Sequence, residues 1–211
     1  MNKNTIATIL VIMVTIGIGV LIAFSGGTPE VSTDTSTGDV IRETAYHKGS
    51  PGASVEIVEF SDFQCPACKA NSSILREVAD FYGNKVALYY RHFPLTQHQF
   101  SDEAAWAAEA AGKQGKFWEM HDKIFENQDS LSIDIFGGLA TELGLDIEQF
   151  KTDQRSREIK DIVAGDLKDG KTLKVNSTPT FFLNGEKVEA GNTLAQWQVL
   201  IEEKLGQANG E

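Results

Sequence analysis

Two cysteines, five prolines and four histidines are all that the 211-residue chain carries of these types. Two cysteines exclude a disulfide-stapled mini-protein and cannot complete a four-cysteine zinc site. The histidines, His47, His92, His98 and His121, show no paired ligand spacing that would make up the difference. Positive charge is also scarce: 19 basic against 30 acidic side chains leave a net charge of −11. No stretch clusters Lys and Arg, so a phosphate-backbone binder is excluded and no nucleic-acid partner is expected. Low hydrophobic content is not among the deficits. At 41% hydrophobic residues the composition is that of a globular protein, which excludes disorder along the whole chain. No internal repeat is found.

What is present in excess is one apolar run. Thr5 to Phe24 is a stretch of 20 residues without a charge, roughly 30 Å long as a helix and so matched to a bilayer core. It predicts an N-terminal signal-anchor or transmembrane segment over residues 1–24, with Lys3 on the cytoplasmic side. The chain is then a single-pass cell-membrane protein whose catalytic domain lies on the extracytoplasmic side. The other reading is a cleaved signal peptide, which would make the protein secreted. Signal-peptide cores are shorter, about 7–15 residues. Of the 15 residues from Ser25 to Asp39, 11 are Ser, Thr, Gly or Pro, too polar to offset their ordering entropy. Residues 25–50 therefore read as a flexible tether. Residues 51–211 form the soluble domain, long enough for one core and expected to be a monomer.

In that domain Val55 to Phe60 is rich in β-branched residues and reads as a strand. A helix follows Cys65, with Ile74, Leu75, Val78 and Phe81 on one face and a stop near Gly83. Lys85 to Phe93 is a second strand, ended by Pro94. The next 75 or so residues read as helical. Phe117, Met120, His121, Ile124 and Phe125 share one face; Ile135, Leu139 and Leu143 make another. Thr180 to Leu183, Asn184-Gly185 and Glu186 to Val188 are a hairpin. A last helix opens on Thr193 and Gln196 as a capping box and ends at Gly206. The order is that of an α/β sheet covered on both faces.

Both cysteines fall at one strand-to-helix junction, as Cys65-Pro66-Ala67-Cys68. Cys65 takes the helix cap, where free backbone N–H groups and the helix dipole favour a thiolate. Pro66 takes the first helical position, where its missing N–H costs nothing. Cys68 lies one turn further in, within disulfide reach. Cys65 is thus the attacking thiol and Cys68 the resolving one. A structural disulfide is the bland alternative, but a two-residue loop removes little entropy from the unfolded chain. Half a zinc site is another, and it lacks two ligands.

VEIVEFSDFQCPAC, YYRHFPL, GKFWEMHDKIFENQ and VNSTPTFFLNG, in this order, resemble the DsbA-like thiol-disulfide oxidoreductases, in the bacterial branch typified by BdbD. The resemblance covers about residues 49–205. It implies a thioredoxin fold with a helical insertion over about residues 97–172. It implies that Thr178-Pro179 is the family's cis-proline loop facing Cys65, and that Pro66, Ala67, Thr178 and Pro179 form the substrate-binding face. Glu59, six residues before Cys65, holds the place of the family's buried acid, which relays protons to Cys68; a solvent-facing strand glutamate is the other reading. His121 reads as a core histidine, whereas His92 and His98 flank Pro94 and are candidates to approach the cysteines.

The expectation is an extracytoplasmic protein-disulfide oxidoreductase that oxidises reduced or unfolded secreted proteins through Cys65 and Cys68. A membrane quinone reductase of the DsbB type would reoxidise it. No metal and no cofactor beyond the redox-active cysteine pair is expected. The alternatives are a disulfide reductase or isomerase, and a non-catalytic carrier of a soft metal ion, which would need a third ligand beside the pair.

Overall fold

The computed structural model describes residues 40–42, 45–189 and 191–208. Its elements run β1 (His47–Lys48), β2 (Val55–Ser61), α1 (Pro66–Tyr82), β3 (Val86–His92), α2 (Ser101–Gly112), α3 (Phe117–Glu126), α4 (Ile135–Glu142), α5 (Ile147–Arg155), α6 (Arg157–Thr172), β4 (Thr180–Leu183), β5 (Glu186–Val188) and α7 (Leu194–Ala208). The strands form one sheet in the order β1-β3-β2-β4-β5. β2 runs parallel to β3 and antiparallel to β4, in register Glu59↔Tyr90 and Phe60↔Thr180. This is the thioredoxin arrangement, with α2 to α6 inserted between β3 and β4.

β2 is central and buried on both faces, as its run of apolar residues requires. Val55 and Ile57 pack with Leu75 and Val78 of α1 and with Trp197 and Ile201 of α7. Val58 and Phe60 face the other way, toward Val40, Phe93, Val175 and Phe182. The insertion carries its own core, which includes the alanines of α2, Met120 and Ile124 of α3, and Phe136 and Phe150. Phe63, Cys65, Cys68 and Tyr90 belong to that same cluster, so the cysteine junction lies where insertion and sheet meet.

The hairpin forms as expected: Asn184 and Gly185 both take positive φ, 47° and 84°, which a two-residue turn of this type requires. Other details differ. Phe81 is 62% exposed while Tyr82 is buried, because the buried stripe of α1 steps through Cys68, Asn71, Leu75, Val78 and Tyr82 at spacings of three and four. α7 passes through Gly206 to Ala208. At its start the Gln196 amide oxygen accepts from the Asn192 N–H (2.8 Å), while the Thr193 hydroxyl accepts from the Gln196 N–H (3.3 Å). The described part of the segment read as a tether belongs to the fold. Val40 is fully buried, Tyr46 stacks on Phe117 at 4.0 Å, and β1 pairs antiparallel with β3. Two residues are too few to show strand alternation in sequence.

The expected membrane anchor requires correction. Residues 5–24 lie outside the described residues, and among the described residues no helix is long and apolar enough to cross a membrane. The longest of them, α1, has 17 residues, roughly 26 Å at a helical rise, and Lys69, Arg76, Glu77 and Asp80 interrupt it. The single-pass anchor, the cell-membrane placement, and the membrane quinone reductase partner that rested on them are not retained.

One buried ion cluster fastens the insertion to the sheet. Arg91 of β3 is 1% exposed. Its guanidinium donates to Asp166 (2.7 Å), to Asp169 (2.6 Å) and to the Val40 carbonyl (2.6 Å). Asp166 also accepts the backbone N–H of His92 at 3.0 Å. Removing Asp166 breaks a buried pair, leaves Arg91 with Asp169 and the Val40 carbonyl alone, and leaves the His92 N–H without its acceptor. Asp166→Ala is expected to cost about 3 kcal/mol or more in urea unfolding. Arg91→Met combined with Asp166→Leu is expected to restore part of it: Asp169 keeps Arg42 at 2.7 Å, so no charge is left unpaired, but the His92 N–H and the Val40 carbonyl lose these partners. A single variant as stable as wild type would show that the cluster is not fastening anything.

Candidate active site

The turn between β2 and α1 is built on Asp62, which is 2% exposed. One of its carboxylate oxygens accepts the backbone N–H of Gln64 (2.7 Å) and the Ser101 hydroxyl. The other accepts the Leu95 N–H (2.7 Å) and sits 2.8 Å from Nδ1 of His98. The Cys65 N–H closes the turn onto the Asp62 carbonyl at 3.0 Å. From the insertion, the Gln128 amide donates to the carbonyls of Phe63 (2.7 Å) and Cys65 (3.0 Å). The Gln64 side chain accepts the Phe100 N–H. Sequence reasoning singled out neither Asp62 nor Gln128. An aspartate two residues before a bonded N–H is a local turn signal; Gln128 had none.

Cys65 is the N-cap of α1 and Pro66 its first residue, as the sequence predicts. Both cysteines are free thiols; Cys65 is 8% exposed and Cys68 fully buried. The Thr178-Pro179 peptide is cis, and the Thr178 carbonyl lies 3.2 Å from the Cys65 sulfur. Pro66 and Ala67 are exposed on the same rim. A polar groove of about 290 Å³ runs alongside, lined by Ala67, Asn71, Ser177, Pro179, Lys187 and Asn192.

Electrostatics separate the two thiols. The Cys65 thiol is lowered from 9.0 to about 5, first by a hydrogen bond from the Cys68 thiol and then by the Thr178 side chain and the backbone N–H groups of Cys68 and Ala67, all against burial. The helix amides thus contribute as expected, but the neighbouring thiol is the larger influence. Burial pushes the Cys68 thiol far above its ordinary value, and Cys65 and Glu59 add to the push. Glu59 is 2% exposed, its Oε1 has no partner, and burial raises its carboxyl from 4.5 to about 8. The solvent-facing reading of Glu59 does not hold.

Three of the histidines are committed to carboxylates. His92 pairs with Glu109 at 3.0 Å and His98 with Asp62. His121 is buried among aromatic rings with Nδ1 2.8 Å from Asp122, and burial lowers its pKa. Among the described residues no group of three or more His, Cys, Asp or Glu could hold a metal ion. The redox group of this site is the cysteine pair itself. A depressed, partly accessible thiol beside a buried one is an arrangement for dithiol–disulfide exchange.

Comparison with known proteins agrees with this geometry. The chain is 39% identical over 148 residues to the Na(+)/H(+) antiporter NhaA 1 of Mycobacterium sp. (strain KMS), which covers 69% of this chain and 24% of that protein. The chain therefore spans about a quarter of the length of the curated relatives it matches. Among solved structures, a thioredoxin-like oxidoreductase from Silicibacter pomeroyi superposes with TM-score 0.67 at 28% identity, covering 84% of this chain and 98% of that one. BdbD from Bacillus subtilis, in its oxidised form, gives TM-score 0.66 at 24% identity over 76% and 92% of the two chains. α-DsbA1 of Wolbachia pipientis gives 0.73 at 20% identity over 82% and 98%. The fold is that of the DsbA-like disulfide oxidoreductases. Residues 42–203 match the family described as Thioredoxin, and the chain belongs to that family.

Proposed function

We propose that the chain is a DsbA-like protein-disulfide oxidoreductase that oxidises dithiols in protein clients. The observation that carries this reading is the asymmetry of the pair. Cys65 at the helix cap is held near 5, beside a buried Cys68 held protonated. A stabilised thiolate is a good leaving group and makes the reduced form the favoured one, which is the property of an oxidant. The groove beside Ala67 and Pro179 and the carbonyl of Thr178 offer an extended client segment its hydrogen bonds. Glu59 serves as the proton reservoir for Cys68. We assign it to the BdbD-type branch on the four motifs it shares in order with that branch. The ion transport in the curated relatives' names is not carried over, since the shared stretch is a quarter of their length.

Direction and roles are tested together. Cys68→Ala is expected to accumulate client bound through Cys65, and Cys65→Ala little or none. The equilibrium potential against glutathione is expected to lie well above the thioredoxin value of about −270 mV. Equal trapping by both variants would overturn the roles, and a potential at or below that value would overturn the oxidising direction.

A second test uses stability. A thiol lowered on folding from 9.0 to about 5 adds stability that is complete above pH 9 and is lost as pH falls to about 5. Glu59, raised from 4.5 to about 8, acts oppositely: it costs nothing below pH 4.5, and its cost grows until about pH 8. In the reduced protein the two slopes oppose each other between about pH 5 and 8. The oxidised protein has no Cys65 thiol to titrate and keeps only the Glu59 slope. Matched urea titrations are expected to show the reduced form gaining on the oxidised form as pH rises from 5 to 9. A gap that stays constant with pH would mean that Cys65 is an ordinary thiol.

A further inference from the structure

Four polar atoms lie stranded around Cys68. Glu59 Oε1, Ser61 Oγ, the Tyr90 hydroxyl and His92 Nδ1 are all buried, and none has a hydrogen-bond partner. Native proteins rarely leave such groups unpaired, and each instance calls for an explanation. Their placement supplies one. Glu59 and Ser61 are two residues apart on β2, so they point to the same face, the one α1 covers. Tyr90 and His92 stand opposite them on β3. Cys68 closes the cluster from above; Cys68, Ser61, Glu59 and Tyr90 are each 2% exposed or less.

Ser61 is the member common to the others. Its hydroxyl is within the influence of the Glu59 carboxyl, the Cys68 thiol and the Tyr90 phenol, and it lowers the pKa of all three. His92 is already committed to Glu109 through Nε2. The remaining charged and titratable groups near Glu59 line a small cavity of about 10 Å³ on its far side: Lys48 of β1, Arg76 of α1, and His121 and Asp122 of α3. That is room for one water. The side chains of Arg76 and Asp122 reach solvent.

We propose that the Ser61 hydroxyl is the relay through which Cys68 and Glu59 exchange a proton during dithiol–disulfide exchange. The proposal rests on the reading of Glu59 as proton reservoir and specifies its route. A client thiolate attacks the Cys65 sulfur; a client–Cys65 bond forms and the Cys65–Cys68 bond breaks. Cys68 leaves with the electron pair as a thiolate, in a pocket hostile to charge. Ser61 gives its hydroxyl proton to Cys68 and takes one from Glu59, which becomes a carboxylate. The second client thiolate then attacks the client sulfur, forms the client disulfide and expels Cys65 as a thiolate. The client is oxidised and the cysteine pair reduced. Glu59 regains its proton through the cavity. When Cys68 attacks in the reverse direction, the same path carries its proton to Glu59.

The test mixes the reduced full chain with oxidised glutathione, quenches with acid and counts the Cys65–glutathione mixed disulfide by mass spectrometry from pH 5 to pH 9. Its formation reports Cys65 alone; its decay reports attack by Cys68. Ser61→Ala is expected to form it at the wild-type rate. Its decay is expected to be about 100-fold slower, the low end of what a positioned proton carrier contributes, with the rise in rate displaced to higher pH. Glu59→Gln is expected to give the same decay profile, and the double variant to be no slower than either. Ser61→Thr, which keeps the hydroxyl, is expected to restore most of the rate; if Ser61→Ala fails to fold, Ser61→Gly takes its place. Decay of the Ser61→Ala adduct at the wild-type rate and pH profile overturns the relay. A moved profile in Glu59→Gln alone, or in Tyr90→Phe in place of Ser61→Ala, does the same. An unmoved Glu59→Gln profile removes the reservoir beneath the relay, whereas failure of the wild type to form the adduct removes the redox reading itself.

Discussion

The Asp62 carboxylate is the constraint on which the rest of the site depends. Four donors from three separate stretches of chain converge on its two oxygens: the Gln64 N–H, the Ser101 hydroxyl, the Leu95 N–H and the His98 ring. A buried carboxylate is costly unless its lone pairs are satisfied, so the loop after β3 and the start of α2 are held where they can satisfy it. With the turn fixed, Cys65 falls at the cap of α1, Cys68 falls under the helix, and the cis loop at Thr178 falls opposite the Cys65 sulfur.

Within that frame the site accommodates one negative charge among three acids. The thiolate goes to Cys65, where the Cys68 thiol and the first amides of α1 receive it. At Cys68 and Glu59 burial outweighs what the Ser61 hydroxyl offers, and each nearby anion makes a second one less favourable. Chemistry at this centre is therefore movement of a single charge and its proton between fixed positions.

The sequence displayed the parts of this arrangement that are local. A cysteine pair at a fixed spacing, a proline at the first helical position, and the Asn184-Gly185 turn each depend on neighbours a few residues away, whereas the burial of Glu59 depends on elements covering both faces of β2. The helices of the insertion were legible from the spacing of Phe117, Met120, Ile124 and Leu139. What was not legible depends on distant partners. Asp62 finds Ser101 39 residues later, and Arg91 finds Asp166 75 residues later; nothing in either neighbourhood marks the pairing. Ser61 looks like any strand serine until its unpaired oxygen is seen beside Cys68 and Glu59. β1 was absorbed into a polar stretch because two residues carry no period. The apolar run at residues 5–24 lies outside the described residues, none of whose helices is long and apolar enough to cross a membrane.

The grip of Gln128 on the carbonyls of Phe63 and Cys65 bears on how such a fold can be diversified. An inserted block is often regarded as a cassette, free to be trimmed, exchanged or grafted while the parent fold keeps its chemistry. Here the block supplies one side of the catalytic turn. Its excision would leave the Phe63 carbonyl without the Gln128 amide, the Cys65 carbonyl with the Lys69 N–H alone, and Asp62 without Ser101. Substitution is better tolerated on the opposite rim, around Lys187 and Asn192, where side chains border the groove without bonding to the catalytic turn.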